Sequence, residues 1–295
     1  MNNFLHWFVI IISVGSFLGC AWLIWWSSKR QPGEAGQGDV TGHVWDGDLE
    51  EYNNPLPRWW LWLFYITIVL GLGYMAFYPA LGNFAGIGEW SQVKQYEQEM
   101  ASAKQKYAPL FNSYAKKSIE DLSKDTTAMK TGQRLFLNYC STCHGTDAGG
   151  ISGFPSLKDK DWLHGGSADA IKASIMNGRS GNMPPMAAAL GNAQGVDEVA
   201  NYVMSLSGAP HDKAQAEAGK AKFAVCAGCH GMDGKGMQAT GAPNLTDDIW
   251  LYRGSIGAIK KAINKGRNGV MPAHQDFLGE EKVHLLAAYI YSLSN

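Results

Sequence analysis

An internal repeat limits the architectures open to this chain. Phe154–Met186 (FPSLKDKDWLHGGSADAIKASIMNGRSGNMPPM) aligns without a gap with Ala242–His274 (APNLTDDIWLYRGSIGAIKKAINKGRNGVMPAH), and about half the positions are identical. A solenoid needs three or more copies, so two copies mean a duplicated domain. Each copy follows a C-x-x-C-H motif: Cys140, Cys143 and His144 in the first, Cys226, Cys229 and His230 in the second. Each closes with a short Tyr-bearing stretch, ANYVMSLSG or AAYIYSLSN, and Gly208–Glu217 reads as the linker between them.

C-x-x-C-H is the spacing of c-type haem attachment. Two thiols add to the haem vinyl groups, and the adjacent imidazole reaches the iron, so one turn of chain supplies all three contacts. A thioredoxin-like pair would need a βαβ context, which is missing. A zinc site would need both pairs to close one tetrahedron; the His after each pair, and the repeat itself, favour haem. A soft thioether suits the sixth position on the iron. Met183 aligns with Met271, and each is followed by Pro, whereas Met186 aligns with His274. The reading is therefore Met183 for the first repeat and Met271 for the second, with His164 and His274 as the alternatives that would give bis-histidine iron. Pro155 and Pro243 offer carbonyls to the free N–H of each proximal His. Trp162 and Trp250, and Arg179 and Arg267, recur at matched positions and are weaker candidates for haem propionates.

The first third of the chain is different in kind. Phe4–Trp26 and Trp59–Pro79 carry no charged residue, and about 20 apolar residues suffice to cross a ~30 Å hydrocarbon core. A cleaved signal peptide would have a basic start, a shorter apolar run and a small-residue cleavage site. Trp22, Trp25 and Trp26 end one run, and Trp59, Trp60 and Trp62 begin the next, as aromatic belts at one membrane face would. Lys29, Arg30 and Arg58 lie between the runs, so the positive-inside rule puts that loop in the cytoplasm and both termini outside. Cys20 reads as a small buried hydrophobe and His6 as a hydrated residue near the interface. The formal net charge of −1 gives nucleic-acid binding no electrostatic support.

These readings divide the chain into a transmembrane helix (1–28), a cytoplasmic loop (29–57), a second transmembrane helix (58–80), a partly helical linker (81–126), a first haem domain (127–208), a short linker (209–217) and a second haem domain (218–295). Val93, Tyr96, Met100 and Tyr107 give the 81–126 segment only a thin apolar stripe. Gly132 and Phe136 precede the first haem motif, and Gly219 and Phe223 the second. Tyr202 and Tyr289 lie on the closing helices. A small residue facing a Tyr-bearing helix resembles the terminal helix crossing of class I cytochromes c. The fold expected is mostly α: two N-terminal transmembrane helices followed by two tandem class I cytochrome c domains.

The segment His43–Trp62 (HVWDGDLEEYNNPLPRWWLW) runs into the second apolar helix and is followed by both haem motifs. In this combination the chain resembles the dihaem cytochrome c subunit (subunit III, CcoP/FixP-like) of cbb3-type cytochrome c oxidase. The resemblance implies two covalent haem c groups and a place in the bacterial inner membrane, with both haem domains periplasmic. It also implies electron transfer from a donor cytochrome c towards a monohaem cytochrome subunit and a haem–copper catalytic subunit. Trp45 to Pro57 would then dock the anchor on a partner subunit. Nothing in the chain looks catalytic for oxygen by itself. The rival readings are a stand-alone membrane dihaem shuttle, a dihaem peroxidase, which needs an openable iron site, and a haem-based sensor, which needs an output domain.

Overall fold

The structure is a computed structural model and describes residues 2–294. It divides into two compact units, 1–104 and 105–295.

In the first unit, helix α1 (Asn3–Ser27) starts where Asn2 caps the Leu5 N–H at 2.9 Å. A two-stranded antiparallel hairpin follows, β1 (Val40–Trp45) and β2 (Leu49–Tyr52), then helix α2 (Arg58–Phe77). Both helices are long and apolar enough to cross a membrane. Phe4, Ile11, Leu18, Trp62, Val69 and Leu70 all lie exposed, and an apolar helix exposed on all sides suits lipid rather than water. The two helices touch at Phe17, whose ring would lie 2.6 Å from a Cβ on Gly71; small residues commonly let membrane helices approach. The Asn83 N–H donates to His6 Nδ1 at 2.9 Å. Cys20, expected to be buried, is exposed on α1.

The hairpin was not foreseen in the 29–57 loop. Its turn has positive φ at Asp46 (51°) and Gly47 (93°), a conformation that an Asp-Gly pair tolerates and that joins antiparallel strands. Helix α3 (Gln92–Ala115) contains Pro109 and leaves Val93, Tyr96, Met100 and Tyr107 exposed.

The second unit holds both haem motifs. Its elements are α4 (Ile119–Leu122), α5 (Thr126–Tyr139), α6 (Ser141–His144), α7 (Ala168–Asn177), β3 (Arg179–Met183), α8 (Ala193–Leu206), α9 (Lys213–Lys222), α10 (Ala227–His230), α11 (Ile256–Lys265), β4 (Arg267–Met271), α12 (Gln275–Leu278) and α13 (Glu280–Ser294). Side-chain oxygens cap many of their starts: Asp125 for α5, Ser167 for α7, Asn192 for α8, Asp212 for α9 and Ser255 for α11. Such caps satisfy amide N–H groups that have no partner within the helix.

The packing regroups the repeats. One core gathers Ile119, Leu122, Phe136, Ile171 and Ile175 from the first half with Leu278, Val283, Leu285 and Leu286 from the end of the chain. The other gathers Leu190, Val196, Val199 and Val203 with Phe223, Ile259 and Ile263. Helix α5 therefore packs on α13, and α9 on α8. The expected glycine–tyrosine crossings exist, but Gly132 meets Tyr289, while Gly219 meets the backbone of Glu198 and Val199 next to Tyr202. The Tyr289 ring lies tilted against Phe136 with centroids 5.6 Å apart, and Tyr202 meets Phe223 edge-on at 5.2 Å. The folded cores thus differ from the sequence segments 127–208 and 218–295. The 209–217 stretch is the turn and first part of a tight α8–α9 hairpin, and Tyr114, Ile119 and Leu122, expected in the linker, belong to a core.

The crossover is made by β3 and β4. They pair antiparallel about Gly181↔Gly269, with Arg179 opposite Met271 and Met183 opposite Arg267. The contacts come in matched pairs. Met186 N–H donates to Ile263 O at 2.8 Å, and His274 N–H donates to Ile175 O at 3.0 Å. This reciprocity is the pattern of an isologous interface, here built within one chain from its two repeats.

Candidate haem-binding site

Each C-x-x-C-H stands on a single short turn, α6 or α10, that ends at a glycine with positive φ: Gly145 at 79° and Gly231 at 76°. The turn buries the motif histidine, leaving His144 and His230 each 8% exposed. Their Nδ1 atoms lie 2.9 Å from Pro155 O and 3.0 Å from Pro243 O. A carbonyl can only accept, so each Nδ1 carries the proton and each Nε2 keeps a free lone pair for a metal. Burial lowers the proton affinity of both rings; the proline carbonyl opposes this in each, and His274 adds a further lowering at His144. A neutral imidazole is the form that binds iron. Burial also pushes the Cys140 thiol up to about 11, with a smaller contribution from Cys143, and raises that of Cys226.

The methionine segments pack across the duplication. Met271 packs against the core that contains Cys140 and Trp162, and Met186 against the core that contains Cys226 and Trp250. The backbone around Met271 lies against Gly178, where a Cβ would stand 2.3 Å from Met271 O. The backbone around Met183 lies against Gly266 in the same way, again at 2.3 Å. Both glycines have φ of +69°, so they end α7 and α11 in a conformation that only glycine adopts freely.

Two buried polar side-chain atoms lack a partner among the described residues, His274 Nδ1 and Arg267 Nε. Both sit by the methionine segments: His274 follows Met271 by three residues, and Arg267 faces Met183 across the ladder. Such orphans are rare in a finished core. With the free thiols and bare Nε2 atoms, they fit pockets shaped for a bound group, and the residues present suit haem c. Arg267 also stacks on Tyr252 at 4.4 Å and donates from NηH to Ala258 O at 3.3 Å. Arg179 donates from Nε to Ser174 Oγ at 2.9 Å. His164 lies against Gly241 of the second repeat, matching Tyr252 against Gly153 of the first.

Comparison with known proteins agrees with this geometry. A family model described as cytochrome c oxidase, cbb3-type, subunit III matches residues 127–203 and again 214–290. A model of the N-terminal domain of cytochrome oxidase-cbb3, FixP, matches residues 37–85. The chain belongs to the subunit III family of cbb3-type cytochrome c oxidase.

Curated relatives extend the match over nearly the whole chain. It is similar to the cbb3-type cytochrome c oxidase subunit CcoP of Rubrivivax gelatinosus, with 50% identity across 97% of this chain and 94% of that protein. It is 39% identical to CcoP of Rhodobacter capsulatus, across 90% of this chain and 98% of that protein. The subunit FixP of Azorhizobium caulinodans is 40% identical, across 88% and 94%. Membership makes this an electron-transfer subunit with covalently bound haem c, anchored in a membrane and working with other oxidase subunits.

Proposed function

We propose that the chain carries two haem c groups and relays electrons from a donor cytochrome c, through the monohaem cytochrome subunit, to the haem–copper subunit that reduces oxygen. Cys140 and Cys143, then Cys226 and Cys229, form the thioether links. His144 and His230, with Met183 and Met271, would hold the haem irons. When bound, each haem supplies a one-electron couple at its iron. The chain does the rest. The proline carbonyls at 2.9 and 3.0 Å orient the imidazoles, a contact that also tunes ligand basicity. The buried apolar cores exclude water, and a thioether ligand would raise the potential of a bound haem.

In this reading the Lys29–Arg58 loop is cytoplasmic and both haem pockets are periplasmic. Lys29, Arg30 and Arg58 support this through the positive-inside rule. The Lys29 ammonium lies 3.8 Å from the Trp25 ring at the end of α1, as a basic residue paired with an interfacial aromatic would.

The single observation that carries the reading is the buried histidine directly after each cysteine pair, with its Nδ1 on a proline carbonyl. Purification from membranes through this chain tests it. Co-isolation of haem b with haem c and cyanide-sensitive oxygen uptake is the expected result. Haem c alone, with no partner subunits and no oxygen uptake, would make the chain a free-standing shuttle.

A further inference from the structure

We propose that each repeat braces the loop that orients the motif histidine of the other, and that His164 of the first repeat is the positioning residue for His230 of the second. This rests on the two-haem reading above and deepens it.

Between each motif histidine and the proline that faces it, the chain makes a small hairpin. In the first repeat Ile151 and Phe154 close it, with backbone hydrogen bonds of 3.2 and 2.8 Å, and Pro155 follows directly. In the second, Met237 and Ala242 close it at 3.0 and 3.2 Å, and Pro243 follows directly. The tip of each hairpin sits on the opposite repeat. Gly153, at the first tip, donates its N–H to Leu251 O at 2.7 Å and faces the Tyr252 ring. Gly241, at the second tip, lies so close to the His164 ring that no Cβ would fit between them. His164 and Tyr252 stand at matched positions, each two residues after the tryptophan of its repeat. The two contacts are therefore one contact made twice. Both tip glycines have positive φ, 93° and 68°, which lets the chain turn tightly there.

The two contacts differ in what holds them. Gly153 to Leu251 is backbone to backbone and survives a change of side chain. The other depends on one imidazole. Burial, and then the Arg179 charge, lowers the proton affinity of the His164 ring, while a hydrogen bond to the Gln238 backbone raises it. A carbonyl can only accept, so the ring is the donor. The same carbonyl accepts the Gly241 N–H at 3.3 Å. His164 thus touches both ends of the 238–241 tip. At the base of that hairpin Pro243 O lies 3.0 Å from His230 Nδ1. A shift of the tip is carried to this carbonyl, which fixes the ring and tunes its basicity. His164 therefore acts on a haem that its own repeat does not attach.

The test uses the full chain in two backgrounds. Cys140→Ala with Cys143→Ala leaves only the second attachment site, and Cys226→Ala with Cys229→Ala leaves only the first. Covalent haem is counted in each before His164→Ala is introduced. A weaker hydrogen bond at Nδ1 makes the imidazole a poorer donor to iron, which raises the midpoint potential. The expected result is an upward shift for the second haem, with a displaced His230 Nδ1–H proton resonance, and no change in either for the first. His164→Gln, which keeps an N–H donor, should restore both values. Where His164→Ala does not fold, His164→Leu fills the space without a donor and is read in the same way.

A second haem that keeps its midpoint and its Nδ1–H resonance would overturn the bracing and leave the two-haem reading standing. So would a first haem that shifts alone, or two haems that shift together. A background that binds no haem would overturn both.

Discussion

Gly132 and Gly219 set how closely the paired helices can approach. A Cβ at Gly132 would stand 2.7 Å from Tyr289 Cβ, and one at Gly219 would stand 2.1 Å from Glu198 O. Overpacking of this kind costs about 1–3 kcal/mol. Gly132→Val should therefore lower stability by that amount in chemical unfolding, and an unchanged midpoint would disprove the close crossing. Phe136 and Phe223 are fully buried beneath the two tyrosines, and truncating such a residue to Ala costs about 3–5 kcal/mol. Asp125 adds a pH dependence. Lys117 and the Ala128 N–H hold its carboxyl below the usual carboxylate range. A depressed folded value means that its contribution is present above the unfolded range and disappears as pH falls through the folded one. Acid unfolding of wild type against Asp125→Asn should show the two curves converging at low pH. Gly132, Gly219, Phe136 and Phe223 could be named from the sequence because each repeat carries the same small residue and aromatic; the Asp125 cap was not foreseen. Their partners could not, since Tyr202 and Tyr289 are equivalent in pattern and either would serve either glycine.

At the scale of elements, both apolar helices were legible from their freedom from charge, and the haem turns from the C-x-x-C-H spacing. The β1–β2 hairpin escaped, although Asp46-Gly47 carries the turn signal, because the surrounding residues are too polar to look like a buried strand. Every residue of β2, and Trp45 with Val44 on β1, is exposed. An exposed aromatic and aliphatic hairpin next to an anchor helix suits a docking role in the complex. Deleting residues 43–57 should release the chain from the other oxidase subunits while both haem groups stay attached. Retention in the complex would show that the apolar helices dock alone.

For the whole molecule, duplication explains both what the sequence revealed and what it concealed. It made the two C-x-x-C-H motifs obvious, because each supported the other. It hid the interleaving of the two cores, because a segment that fits one repeat fits its copy equally well, and only the β3–β4 crossing chooses between them. Interleaved cores also predict a single unfolding transition for residues 105–295: Phe136→Ala and Phe223→Ala should shift the same transition, where independent domains would show two. The most direct measurement is haem counting with potentiometric titration of the full chain, wild type beside Cys140→Ala/Cys143→Ala and Cys226→Ala/Cys229→Ala. The account predicts two covalent haem c groups per chain, each a one-electron couple, with one lost in each variant and electron delivery to oxygen abolished in both. A single haem in the wild type, or oxygen reduction at full rate in either variant, would contradict it.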